Sequence, residues 1–217
     1  KMKEKGIEKE QVTGVGFGVP GPVTAEGIIV MNANLGWRDK HVAKELEELT
    51  GLPCKGGNDV KTAGLGELWK GGAGSYKDAV FITLGTGVAA AIIVDGKVIL
   101  GSKGAAGEVG HIKVDKEIEE ACGCGGAGCV EQFASAPGIV RMAKKLLAQS
   151  DKPSLLREGE VTAKSVFDAV KAGDEIAKEV AERFGHYLGY SLAATAAVVD
   201  PEAFIIGGGV SKAGEIL

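Results

Sequence analysis

The chain lacks any apolar run long enough to cross a bilayer. Its longest small-apolar stretch, SLAATAAVV at 191–199, is well short of the roughly 20 residues that a spanning helix needs. It also lacks a basic excess. The 25 Lys and Arg against 29 Asp and Glu leave a formal net charge of −4 with the two signs interspersed, which argues against nucleic-acid and anionic-membrane partners. No G-x4-G-K-[ST] occurs, so P-loop chemistry is excluded. There is no internal repeat and no long disordered linker, and no secretory leader is recognised, so a reducing, cytoplasmic setting is expected.

What is present has the composition of an ordinary soluble globular protein. The 217 residues are 45% apolar and 25% charged, enough for one large domain or two lobes with a real core. Glycine is the outlier at 35 residues, clustered between strand-like runs. Such clusters mark tight turns and close backbone approach to a ligand.

The densest chemistry lies in H-x10-C-x-C-x4-C, formed by His111, Cys122, Cys124 and Cys129 around the segment CGCGGAGC. Three thiolates and an imidazole make a tetrahedral set that suits zinc and leaves no open coordination position, so the site reads as structural. The alternative is a disulfide or buried thiols, but Cys122 and Cys124 are too close in sequence for an ordinary unstrained bridge. Cys54 reads as a small buried hydrophobe. Glu108 and Glu131 flank the motif, so a metal there would hold two acids in place.

Residues 12–19 and 27–31 read as strands separated by Pro20-Gly21-Pro22. Asp39 is expected to cap a helix running to Thr50, with Val42, Leu46 and Leu49 on one face and Gly51 as its stop. Asn58-Asp59 precedes a helix through Trp69. A meander follows: AVFITL, the turn Gly85-Thr86-Gly87, VAAAIIV, the turn Asp95-Gly96, then KVIL. Helices are expected from Glu131 toward Gln149, over 162–172, and from Asp174 to Val199. Asp200-Pro201 ends the last of these, AFII forms a strand, and Gly207-Gly208-Gly209 leads toward one more helix. Residues 1–11 read as the end of a helix. The mixture indicates an α/β or α+β protein.

Two glycine patterns mimic the dinucleotide fingerprint. Gly16-x-Gly18-x-x-Gly21 is followed by Pro22 and a strand, and Gly85-x-Gly87-x-x-Ala90 continues as strand. Neither is followed by the helix that would hold a pyrophosphate. The Gly85–Thr86–Gly87 turn keeps two readings, a plain hairpin turn or an anion-binding nest of backbone N–H groups.

The blocks GVPGPV, NLGW, Asn58-Asp59, LGELWKGGAG, ITLGTGV, GAAGEVGHIKV and CGCGGAGCVEQFAS occur in the order found in the ROK family of sugar kinases and sugar-responsive repressors. The chain resembles that family along essentially its whole length, and within it the bacterial glucokinases. The resemblance implies an actin-like, hexokinase-like α/β ATPase fold of two lobes around a central cleft. Residues 1–58 would be the remainder of the smaller lobe, and 59–217 the larger lobe with the zinc motif and phosphate loop. By resemblance Asp59 is the catalytic base. Asn34, Asn58, Glu108, His111 and Glu131 join it as sugar contacts. Gly85, Thr86 and Gly87 form a phosphate loop, Gly207, Gly208 and Gly209 lie on the adenosine side, and His111, Cys122, Cys124 and Cys129 bind zinc. The implied activity is ATP- and Mg2+-dependent phosphorylation of a hexose 6-hydroxyl, most simply that of glucose, by a homodimer. The alternatives are a sugar-responsive transcriptional repressor and a kinase for another hexose or an N-acetylhexosamine. The partners would be hexose and ATP, with no nucleic acid and no membrane. Three departures stand out. No D-x-G-G-T hairpin is present, the family continues with more helix beyond Leu217, and Ala89, Ala90 and Ala91 stand where glycines are usual. The chain is therefore expected to be truncated at both ends.

Overall fold

The computed structural model describes residues 3–24, 26–32 and 35–217. A mixed four-stranded sheet organises most of them. Strand β5 (Ala79–Leu84) sits inside it, antiparallel to β6 (Val88–Val94) on one edge and parallel to β8 (Ala203–Gly207) on the other, and the short β7 (Lys97–Val98) extends β6. Helices cover both faces. Val80, Ile82 and Leu84 point into the main core with Val88 and Ala90. Against them pack α3 (Glu131–Ala134), α4 (Ala136–Gln149), α5 (Ala163–Lys171) and α6 (Glu175–Val199). On the opposite face, α2 (Asp59–Lys70) lies against β6, and Ala73, Ala79 and Ile93 form a second small core. Burial from both sides explains why AVFITL is a continuous apolar run rather than an alternating one.

The expected meander forms, with Asp95 and Gly96 both at positive φ in the β6–β7 turn, although KVIL keeps strand geometry only at Lys97–Val98. Asp174 caps α6 through the Ala177 amide, and Asp200 ends it in the left-handed region. The helix expected from Glu131 onward breaks at Ser135. Its hydroxyl accepts from the Gly138 amide and Pro137 sits in the turn that follows, so the chain restarts as α4.

The early region departs furthest from expectation. Strand β1 (Val15–Val19) pairs in parallel with β4 (Cys54–Asn58), while β2 (Ile29–Asn32) pairs antiparallel with β3 (Trp37–Lys40). Neither β3 nor β4 has the apolar alternation of a strand, since one reads WRDK and the other CKGGN. Asp39 lies within β3, not at a helix cap. Helix α1 (Val42–Thr50) starts after His41, whose side chain makes no capping bond, and Gly51 ends it as expected. Leu49, expected on its apolar face, is 82% exposed because α1 packs at the periphery with no fully buried residue. The described part of 1–11 forms two short 3-10 turns, Lys3–Lys5 and Lys9–Gln11, instead of a helix end.

Ala91 finds room through a compensating glycine. A methyl at Gly64 on α2 would collide with the Ala91 methyl on β6. Gly64→Ala is therefore expected to lower stability by about 1–3 kcal/mol through overpacking, outweighing the roughly 1 kcal/mol that alanine gains as a helix former. Thermal unfolding checks this, and Ala91→Gly in the same protein should recover most of the loss.

Candidate functional site

Strands β5 and β8 run in parallel, and their carboxyl ends open onto two glycine turns. Ligands of α/β sheets bind outside such ends. The Gly85–Thr86–Gly87 turn is closed by the Gly85 amide on the Gly87 carbonyl at 3.0 Å. It is also tied to the start of α4 by the Ala136 amide on the Gly85 carbonyl at 2.8 Å. Gly207 is paired with Thr83, and Gly208 follows it against the backbone of Leu84. The two glycine runs, far apart in the chain, thus meet at one end of the sheet.

On one side of the 85–87 turn lies a cavity of about 470 Å³, lined by Asn58, Asp59, Glu108, His111 and Glu131 and by the turn itself. Asn58, not Asp59, caps α2. Its Oδ1 accepts from the Lys61 amide at 3.0 Å and its Nδ2 donates to the Gly21 carbonyl at 3.1 Å, which ties the helix start to the Pro20–Pro22 turn. Asp59 is left exposed at the cavity, its carboxylate accepting from the Val60 amide at 2.9 Å. The amino end of a helix is a favourable place for that negative charge. Glu131 opens α3 and reaches the 85–87 turn, where its Oε2 accepts from the Val88 amide at 3.1 Å. Glu108 leads into a 3-10 turn, Val109–His111, that presents His111. Asn34 lies outside the described residues.

On the other side of the turn is a mostly apolar cavity of about 420 Å³, bordered by Thr86, Ala136, Phe167, Gly209, Val210 and Ala213. Of these, the sequence motifs single out only Thr86 and Gly209. Phe167 reads as ordinary amphipathic patterning of α5, and no local signal marks it as a wall.

His111, Cys122, Cys124 and Cys129 bring their ligand atoms within 4.8 Å of one another. Cys124 Sγ and Cys129 Sγ are 3.7 Å apart, and Cys122 Sγ is 3.7 Å from His111 Nδ1. Thiolates at about 2.3 Å from a tetrahedral zinc stand about 3.8 Å apart, whereas disulfide sulfurs stand about 2.05 Å apart. All four cysteines are free thiols, and the donor set fits a tetrahedral, thiolate-preferring metal. Burial, reinforced by the neighbouring thiols, pushes the Cys129 thiol up to about 12, while a hydrogen bond with the Gly126 backbone holds Cys124 below its ordinary value.

Residues that the motif did not reveal brace this loop. Gln132 accepts from the Cys129 amide at 3.1 Å and donates to the Glu120 carbonyl at 2.8 Å. Arg141 of α4 donates to the Gln132 carbonyl and pairs with Glu120. From α6, Tyr187 donates to Asp115 at 2.9 Å and stacks on Phe133 with centroids 3.8 Å apart. A further missed residue, Lys61, is buried on α2. Burial lowers its pKa, against the opposing pull of Glu108 and then Asp59.

The model of the ROK family matches residues 1–217. The chain is 42% identical over 214 residues to a glucokinase of Halalkalibacterium halodurans, covering 96% of this chain and 65% of that protein, so it spans somewhat less than two thirds of that relative. A Streptomyces griseus ROK family glucokinase, solved in complex with glucose and AMPPNP, superposes with a TM-score of 0.85 at 34% identity, covering 98% of this chain and 70% of that one. A ROK family transcriptional regulator, a homolog of the E. coli MLC protein, superposes with a TM-score of 0.90 at 30% identity, covering 100% of this chain and 54% of that one. The fold is thus the actin-like, hexokinase-like ATPase fold.

Protein purified without chelator is expected to carry about one equivalent of zinc per chain, since four protein ligands make a closed site. Elemental analysis checks this. Cys124→Ser should lose the metal and lower the melting temperature, and metal-free protein with unchanged stability would rule the site out.

Proposed function

Because the chain belongs to the ROK family, we propose that it is an ATP-dependent hexose kinase that phosphorylates the 6-hydroxyl of glucose. The observation that carries this reading is one cavity in which Asp59, Glu108, His111 and Glu131 face the 85–87 turn. We assign residues 1–58 to a smaller lobe and 59–217 to a larger one, because the cavity takes Pro20, Gly21 and Asn58 from the first and the remaining side chains from the second.

Phosphoryl transfer asks the protein for positioning, charge stabilisation and a base for the attacking hydroxyl. Asp59 takes the proton from the sugar 6-hydroxyl as its oxygen bonds to the γ-phosphorus. The bond from that phosphorus to the bridging oxygen breaks, and the nucleoside diphosphate leaves. Glu108 and Glu131 accept hydrogen bonds from the other hydroxyls, and His111, whose Nδ1 faces the cysteines, donates from its other ring nitrogen. Amides of the glycine turn receive the phosphates, and the apolar cavity beside Phe167 takes the adenine. Magnesium arriving with the nucleotide would supply charge neutralisation. His111, Cys122, Cys124 and Cys129 would hold a zinc ion, which would supply a rigid anchor two residues before Glu131. Free thiols agree with a cytoplasmic setting, and among the described residues no helix is long and apolar enough to cross a membrane.

A sugar-responsive repressor is the second reading, favoured by the fold match to the transcriptional regulator. Asp59, which a sensor has no need to aim into the cavity, favours the kinase. Coupled turnover over a panel of hexoses and N-acetylhexosamines decides between the two and identifies the sugar.

Asp59→Asn is expected to cut kcat by about 10²–10⁴-fold, the usual contribution of a general base, while sugar affinity stays nearly intact. Wild-type turnover in that variant would reject Asp59 as the base. Glu131→Gln should act differently, raising the sugar KM about tenfold or more, because a charged hydrogen bond to a hydroxyl is lost from ground and transition states alike. ATP affinity measured without sugar should hardly change. A large fall in kcat at constant KM would put Glu131 in the chemical step.

A further inference from the structure

Lys61 is 4% exposed. Burying an ammonium is costly, and an apolar side chain of similar size would pack α2 against its neighbours more cheaply. A charge kept there needs a reason beyond packing. Its Nζ donates to the Gly104 carbonyl at 2.5 Å, and the carboxylates acting on it are those of Glu108 and Asp59.

The bond has a structural consequence for Glu108. The segment from Gly101 to Glu108 is held at its far end by the Ala90 amide on the Gly107 carbonyl at 2.7 Å. Midway, Gly104 is wedged so closely against Val23 that a side chain there would strike the Val23 backbone. Lys61 adds the second anchor, from the helix that carries Asp59 two residues earlier. One side chain therefore links the first turn of α2 to the loop that delivers Glu108, which shares a cavity with Asp59.

We propose that Lys61 is a positioning residue for sugar recognition. It holds the 101–108 loop against α2 so that Glu108 and Asp59 keep a fixed separation. The inference rests on the kinase reading above. Lys61 touches no substrate and acts through Glu108.

A double-mutant cycle tests this by comparing wild type, Lys61→Met, Glu108→Gln and the double variant for kcat and for the KM of hexose and of ATP. Lys61→Met should raise the hexose KM roughly tenfold with little change in the KM for ATP. In the Glu108→Gln background the same change should cost about twofold or less, because residues that act through one another are not additive. An unchanged hexose KM, or an equal loss in both backgrounds, would overturn the proposal. If Lys61→Met does not fold, the cycle uses Lys61→Ala, which also removes the bond to Gly104. Failure of both to fold would reduce Lys61 to a scaffold residue and also reject its role. Wild-type turnover is measured first. If no hexose is phosphorylated, the kinase reading falls and this role with it, whereas turnover with additive effects rejects only the role of Lys61.

Discussion

Strand β5 is the constraint on which the rest depends. It must satisfy its backbone on both edges and its side chains on both faces. The antiparallel partner β6, the parallel partner β8, the α3–α6 layer and helix α2 are the four answers to that demand. A strand enclosed in this way has only its carboxyl end free. The Gly85–Thr86–Gly87 turn stands there, tied to α4 by the Ala136 amide and flanked by Gly208, which packs on the Leu84 backbone before it, and by the Glu131 carboxylate, which accepts from Val88 after it. The site is thus where the sheet's satisfied core runs out.

The Glu131 contact joins two functions. Its carboxylate lines the cavity with Asp59 and also accepts from Val88, immediately after the glycine turn. A side chain with both duties needs a rigid base, and α3 is only four residues long, Glu131–Ala134. Such a short helix is marginal on its own. It is braced on one side by the His111, Cys122, Cys124 and Cys129 set, and on the other by Gln132, Arg141 and the Phe133–Tyr187 stack. The Cys/His cluster and the packing therefore act on the same few residues.

Charge is arranged with similar economy at α2. Asn58 takes over the capping role, so Asp59 need not serve the helix and can face the cavity. Glu108, Glu131 and Asp59 together give that cavity a negative lining, while the buried Lys61 ammonium of the same helix bonds to the Gly104 carbonyl. Polar groups in a low-dielectric setting interact strongly whether matched or unmatched. Among the described residues no buried side-chain nitrogen or oxygen lacks a hydrogen-bond partner, so the buried side of this arrangement is satisfied.

Local signals suffice wherever the physics is local. The Asp95-Gly96 turn, the Gly51 stop, the Asp174 cap and the spacing of His111, Cys122, Cys124 and Cys129 all depend on residues close in sequence, and each is legible in the residue order alone. The motif blocks likewise point to the family. Other features depend on what lies across space. The β1–β4 pairing is hidden because CKGGN has no strand pattern and acquires one only beside Val15–Val19. Asp39 has the residue type of a cap but lies in β3 at positive φ, between Arg38 and Lys40, which pair with β2. Gly64 is a weak point in a helix by propensity, and its purpose shows only in the Ala91 methyl packed against it. Lys61 has the residue type of a surface charge, and Gly104 closes over it. Turns, caps and the Cys/His spacing can be read from the chain because they are settled over short stretches of sequence. Strand pairing, the glycines that make room and the charges that end up buried emerge only on folding, because those energies belong to contacts between segments far apart in the chain.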